Sequence, residues 1–125
     1  MTKPLNNVVP FRNAAGKGSR AEPLSEDRLA DLIEEATVDA YGPSEQVSGF
    51  FTMLEEHLAF PFSAKVLGVD VVVDGVDLTD ADEIVAVCKR GRVRQAIPIL
   101  ELPLPTPPPE GAEWIAAYRH WRGAD

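Results

Sequence analysis

The fold is decided by an eight-residue stretch, Asp39-Ala40-Tyr41-Gly42-Pro43-Ser44-Glu45-Gln46, at which two helices are predicted to meet. A glycine such as Gly42 can adopt the positive φ that commonly ends a helix. Pro43 suits the first turn of the next helix, because the N–H that proline lacks is not needed there. The stretch therefore predicts a tight junction between consecutive helices.

Apolar residues on both sides of this junction recur at helical spacing. On the N-terminal side, Ser25 and the two acids after it are typical of a helix start, and the pattern predicts a first helix over 26–39. On the C-terminal side, an apolar stripe predicts a second helix over 44–58, which ends before Pro61 because a residue preceding proline favours extended geometry. We expect the two helices to form a helical hairpin.

Beyond residue 63 the pattern changes to that of strands. Segments rich in valine and isoleucine predict strands over 64–73, 83–88 and 94–100. Tight turns are predicted at Asp74-Gly75 and at Lys89-Arg90-Gly91-Arg92. Short antiparallel strands joined in this way indicate a small SH3-like barrel or a curled sheet.

The C-terminal part begins with five prolines between Pro103 and Pro109, which predict an extended connector. A last helix is predicted over 111–122, with its aromatic side chains on one stripe that clamps the core. The predicted fold class is therefore α+β: an N-terminal helical hairpin packed on a small SH3-like antiparallel β-barrel, with a C-terminal helix.

The chain has 125 residues and a formal net charge of −8, which suits one small domain. Residues 22–83 carry sixteen acids against two bases, whereas residues 1–21 carry four bases and no acid. The basic stretch lacks apolar periodicity and predicts a disordered tail over 1–23, followed by one domain over 24–125. Because the sequence is acidic and has neither a long apolar run nor a secretory signal, we expect a cytoplasmic protein that binds no nucleic acid and no membrane.

Catalysis and zinc binding have little support in the sequence. Cys88 is the one cysteine and lies in an apolar strand, while His57 and His120 have polar neighbours on predicted helices. Such residues cannot supply the usual zinc ligand sets. No phosphate-binding glycine loop or nucleophile elbow occurs. We therefore expect a protein that is not an enzyme.

Hard-cation binding fits the sequence better, because Ca²⁺ takes six to eight oxygen ligands. At the helix junction Asp39 and Glu45 can converge, and Gln46 and the carbonyls of the turn can add neutral oxygens. Glu55 and Glu56 lie about 15 Å further along the second helix, so they could serve only a second site. A solvated acidic helix face would have the same composition, and the residues alone leave that alternative open.

A second group of acids follows between Asp70 and Glu83. An EF-hand loop that starts at Asp70 would need an acid at its twelfth position, where this chain has Ala81, and the flanking segments are predicted strands. We reject the EF-hand and interpret this group as a solvated acidic connection, with a weak cation site as the alternative.

Several motifs resemble one known family, the CcbP-type bacterial calcium-binding proteins, which have no EF-hand. The resemblance covers about residues 26–123 and rests on the following residues: Asp39-Ala40-Tyr41, Glu45-Gln46, Gly49, Leu54-Glu55, Leu58, Phe60-Pro61-Phe62, Ala64, Ala96-Ile97-Pro98-Ile99, Trp114 and Trp121-Arg122-Gly123.

The resemblance implies a non-EF-hand calcium-binding protein that acts as an intracellular calcium buffer or sensor. Carried over by position, it implies that Asp39 is the first ligand and Glu45 the next, with Glu55 and Glu56 at a further site. The alternative is a protein-interaction module with an acidic surface and a vestigial calcium motif, whose protein partner the sequence does not identify.

Overall fold

Three helices and a four-stranded antiparallel sheet enclose one apolar core in the computed structural model, which describes residues 24–123. The predicted basic tail over 1–23 lies outside the described residues. The predicted α+β class is confirmed. No helix among residues 24–123 is both long and apolar enough to cross a membrane.

The helices lie where the sequence predicts them, with ends shifted by one or two residues. They are α1 (Glu26–Thr37), α2 (Pro43–His57) and α3 (Glu113–Arg122). The Ser25 hydroxyl caps α1 by accepting a hydrogen bond of 3.1 Å from the backbone N–H of Arg28. Pro43 is the first residue of α2, as the sequence predicts.

The sheet is an open meander rather than a barrel. Its strands are β1 (Phe62–Val66), β2 (Val69–Leu78), β3 (Ile84–Arg90) and β4 (Val93–Pro98), and they pair antiparallel in the order β1-β2-β3-β4. Within the described residues no pairing joins β1 to β4, so the predicted SH3-like closure is not confirmed. Pro98 is the last residue of the edge strand β4. Proline is tolerated there because an edge strand does not need every backbone N–H for hydrogen bonds within the sheet.

The prediction of a turn at Asp74-Gly75 is wrong. These residues form a bulge inside β2, where the register shifts between Val73 and Gly75. The turn between β1 and β2 lies instead at Leu67-Gly68, whose φ angles of 51° and 77° are both positive, as the tightest hairpin turns require. The second predicted hairpin is confirmed, with its turn at Gly91-Arg92.

The C-terminal helix clamps the core, as its aromatic stripe predicts. Tyr118 is 2% exposed, and its ring centroid lies 5.4 Å from that of Phe50 on α2. Trp121 approaches the same phenylalanine at 5.2 Å. Phe50 therefore anchors α2 to α3 through tilted aromatic contacts.

A glycine sets the distance between α1 and α2. A Cβ atom at Gly49 would overlap the carbonyl oxygen of Ala36 on α1, so only glycine permits this close approach. The two helices consequently cross tightly just before the junction that connects them. This crossing fixes where the acidic residues of the junction lie.

Candidate metal site

The junction between α1 and α2 begins with a change of backbone direction. After Thr37 the chain becomes extended at Val38 and then enters the left-handed region at Asp39, with φ of 62°. Aspartate tolerates this region better than most residues. The N–H of Ala40 donates to the carbonyl of Thr37 at 3.0 Å, and Gly42 has φ of 146°, which favours glycine. The turn leaves the Asp39 side chain exposed to solvent.

Glu45 closes the junction from the other side. Its Oε1 accepts a hydrogen bond of 2.8 Å from the backbone N–H of Tyr41. The arrangement resembles a capping box, in which an acid at the third helical position reaches back to the residues before the helix. A carboxylate can accept about four hydrogen bonds or metal contacts, so this cap still leaves acceptor capacity. Glu45 can therefore cap α2 and bind a cation at once.

A third acid reaches the junction from the connection between β2 and β3. Asp82 lies in that connection with φ of 60°, and its Oδ1 accepts a hydrogen bond of 3.2 Å from the hydroxyl of Ser44. Thr79 shapes the connection, because its hydroxyl accepts hydrogen bonds from the N–H groups of Ala81 and Glu83 at 3.2 and 3.1 Å. One residue of the second acidic group, Asp82, therefore contacts the start of α2.

The five predicted ligands do not form one group. Asp39, Glu45 and Gln46 share the junction, and Gln46 is half-buried there. Glu55 and Glu56 are exposed near the end of α2, about 15 Å from Glu45 at the rise of an α-helix. They could take part only in a separate interaction, as the sequence indicates.

Two of the three acids on β2, Asp70 and Asp74, form ion pairs with lysines. The carboxylate of Asp70 lies 2.9 Å from Lys65 Nζ, and that of Asp74 lies 3.0 Å from Lys89 Nζ. The hydrogen bond from Lys89 lowers the pKa of Asp74, although partial desolvation opposes the shift. Of this second acidic group, Asp82 is the residue placed to assist the junction.

Cys88 belongs to the core and not to a reactive site. Its side chain is 3% exposed, and burial raises the pKa of its thiol. A buried protonated thiol is a poor nucleophile and a poor metal ligand. The interpretation of Cys88 as inert agrees with this position.

The donors at the junction are all oxygens: carboxylates, a side-chain amide, a hydroxyl and backbone carbonyls. Among residues 24–123, no three or more His, Cys, Asp or Glu side chains are grouped so that they could hold a metal by themselves. An ion at the junction would need carbonyl oxygens and water beside its carboxylates. Ca²⁺ accepts such mixed and irregular oxygen sets, so the donors fit it better than Zn²⁺.

Sequence reasoning missed the contact between Ser44 and Asp82. The two residues are 38 positions apart, and periodicity carries no information about such a pair. The one signal in the sequence was that both residues lie in the acidic segment 22–83.

Fold and donors together define a class of protein, a small α+β domain with an oxygen-lined acidic helix junction and no EF-hand. The chain belongs to the CcbP family, whose model is described as "Calcium binding" and matches residues 30–122. The resemblance noted in the sequence is thereby confirmed, and Ca²⁺ is the cation of the family.

One solved structure agrees with this assignment. The crystal structure of Anabaena CcbP is similar to this chain with a TM-score of 0.65 at 21% sequence identity, over 82% of this chain and 94% of that chain. At this identity the likeness supports the fold and not individual ligands. A comparison with curated proteins gave no match.

Proposed function

We propose that this chain binds Ca²⁺ at the α1–α2 junction through Asp39, Glu45 and Gln46, with Asp82 as an additional ligand. The observation that carries the proposal is the hydrogen bond from Ser44 to Asp82, which brings a distant carboxylate beside the junction. Asp39 and Glu45 flank this turn in the sequence, and Asp82 contacts Ser44 of the same turn from the β2–β3 connection. A divalent cation would neutralise charges that otherwise repel one another.

The junction suits a regulatory ion better than a catalytic one. Its acids are exposed or half-buried and face solvent rather than a closed cavity. Exposed sites with few charged ligands bind Ca²⁺ weakly and exchange it readily. We assign to the protein the role of a cytoplasmic calcium buffer or sensor without catalysis, with Glu55 and Glu56 at a separate and weaker position.

Calorimetric titration with Ca²⁺ and with Mg²⁺ tests the proposal. Asp39→Asn and Asp82→Asn should each weaken Ca²⁺ binding by about tenfold or more, which corresponds to about 1.4 kcal/mol. Asp31→Asn is the matched control, because it removes the same charge from an exposed position on α1. An equal loss in all three variants would show a general effect of net charge and would refute the assigned site.

Glu55→Gln with Glu56→Gln separates the two positions. This double variant should leave the strongest Ca²⁺ binding unchanged and remove only a weaker phase of the titration. Loss of the strongest phase would place the main site at the end of α2 and contradict the proposal. No heat at millimolar Ca²⁺ in the unmodified protein would remove the proposed function altogether.

A further inference from the structure

The two hairpin turns lie at one end of the sheet, opposite the connection that carries Asp82. This follows from the meander, in which the β1–β2 and β3–β4 turns share an end and the β2–β3 connection occupies the other. Leu67 is 97% exposed in the first turn and Val93 is 65% exposed beside the second. Apolar residues at turn positions need a reason, because turns usually carry polar residues.

An apolar cavity opens between these turns. Its volume is about 300 Å³, which suits one or two side chains of a partner. It is lined mainly by apolar side chains of all four strands and of the first turn: Val66, Leu67, Val69, Val71, Cys88, Val93 and Ile97. The cavity is therefore an open depression in one face of the sheet, next to the two turns.

The rim of this cavity is basic, although the chain as a whole carries a net charge of −8. Of the eight Lys and Arg residues between 24 and 123, five lie at this end: Lys65, Lys89, Arg90, Arg92 and Arg94. The lysines are paired with Asp70 and Asp74.

The arginines of the β3–β4 hairpin form weaker contacts with acidic side chains than the lysines do. The Arg90 guanidinium reaches a backbone carbonyl at 3.5 Å, Arg92 is exposed in the turn, and Arg94 lies 4.0 Å from an aspartate already bonded to lysine. Positive charge at this end is consequently available to a partner.

The neighbouring edge strand offers backbone groups as well. Within the described residues β4 pairs only with β3, and residues 93–96 are all exposed. An edge strand of this kind can accept an extended segment as a further strand. Alternate side chains of such a segment would face the cavity, and the others would face solvent near the arginines.

We propose that this end of the sheet binds an acidic peptide segment, which extends along β4, places an apolar side chain in the cavity and contacts Arg90 and Arg92 with its carboxylates. Charge complementarity selects this occupant. A second copy of the chain that paired symmetrically through this end would bring two basic rims together. A flat anionic bilayer would not fill a concave cavity. At physiological ionic strength electrostatic interactions are screened beyond about 8 Å. A peptide bound here would therefore be attracted by the basic rim and would not be repelled by the acidic residues at the opposite end of the sheet.

Titration of the ¹⁵N-labelled full chain in chelator tests the proposal. The probes are a panel of synthetic heptapeptides with two Asp or Glu residues on each side of a central Leu, Phe or Ser. Peptides centred on Leu or Phe should shift the amide signals of residues 65–71 and 88–97, and the Ser-centred peptides should bind about tenfold more weakly. Raised salt should weaken all of them.

Charge-reversal variants provide the matched comparison. Arg92→Glu should reduce affinity by about tenfold or more, whereas Arg28→Glu, which changes net charge equally at an exposed position on α1, should change it little. Equal losses in both variants, shifts outside the two hairpins, or no binding by any acidic peptide at millimolar concentration would overturn the proposal. Binding of phosphatidylserine vesicles without binding of the peptides would also overturn it and assign this end to a membrane.

Discussion

Glu45 has two roles that a pair of substitutions can separate. One oxygen of its carboxylate caps the junction through the Tyr41 N–H at 2.8 Å, and the carboxylate as a whole is a proposed calcium ligand. Glu45→Gln keeps an acceptor oxygen for the cap and removes only the charge. Glu45→Ala removes both. Loss of a helix cap costs about 1 kcal/mol, within a usual range of about 0.5–2 kcal/mol.

The expected results follow from this difference. In chelator, Glu45→Gln should unfold within about 0.5 kcal/mol of the unmodified protein, whereas Glu45→Ala should lose about 1 kcal/mol, or about 4–8 °C in Tm for a domain of this size. Both variants should lose calcium affinity to a similar extent. The unmodified protein should gain about 2.7 kcal/mol at a Ca²⁺ concentration of one hundred times Kd, because the ion binds the folded state.

Thermal melts with and without Ca²⁺, joined to calorimetric titration, provide the measurement. Glu34→Gln and Glu34→Ala on the exposed face of α1 are the matched controls, since they change charge and side-chain size without removing a cap. If Glu45→Gln binds Ca²⁺ as tightly as the Glu34 variants do, Glu45 is a structural cap only. If Glu45→Ala is as stable as Glu45→Gln in chelator, the capping interpretation is wrong.

Three further predictions concern the scaffold. Gly49→Ala should destabilise the protein by about 1–3 kcal/mol in denaturant unfolding, because the added methyl group overlaps the Ala36 carbonyl and the gain in helix propensity is smaller; an unchanged midpoint would contradict the tight crossing. Asp74→Asn should slightly destabilise the protein at pH 7. The pKa of Asp74 is lowered in the folded protein, so its pairing with Lys89 stabilises the fold at pH above the ordinary pKa of 3.8. This stabilisation is lost as the pH falls through the pKa that Asp74 has in the folded protein. The urea midpoints of the variant and the unmodified protein should therefore converge in acid. Cys88 should react with iodoacetamide only after unfolding, since its thiol is buried with a raised pKa; rapid labelling of the native protein would show that the strand opens.

The helical part of the fold could be predicted because its signals are local. Ser25 as a cap and Gly42-Pro43 as a stop and start act within one turn of the residues they affect, and the structure places helix ends beside them. The aromatic stripe of α3 was also a local signal, because large rings at helical spacing favour burial on one side of the helix; Trp114 and Tyr118 are buried, and Trp121 is half-buried against Phe50.

The strand boundaries were harder to predict, because an Asp-Gly pair occurs both in hairpin turns and at bulges within a strand. Asp74-Gly75 has the composition of a hairpin turn, yet Asp74 is the unpaired residue of a bulge and its carboxylate pairs with Lys89 across the sheet. The true turn at Leu67-Gly68 places an exposed leucine at positive φ, which composition argues against. Barrel closure likewise depends on whether the edge strands meet, a long-range property that strand propensities do not report.

The candidate site shows the same division between local and distant information. Asp39, Glu45 and Gln46 are neighbours in sequence. The helix junction between them could be predicted from Gly42-Pro43. Asp82 reaches this region only because the meander returns the β2–β3 connection to the start of α2, where Asp82 accepts the hydrogen bond from Ser44. The junction is therefore held by the helices on one side and by the sheet on the other. A cation bound there would link the two layers, so calcium should slow hydrogen exchange in residues 79–83 as well as in the first turn of α2. Protection confined to the helix would show that Asp82 takes no part in binding.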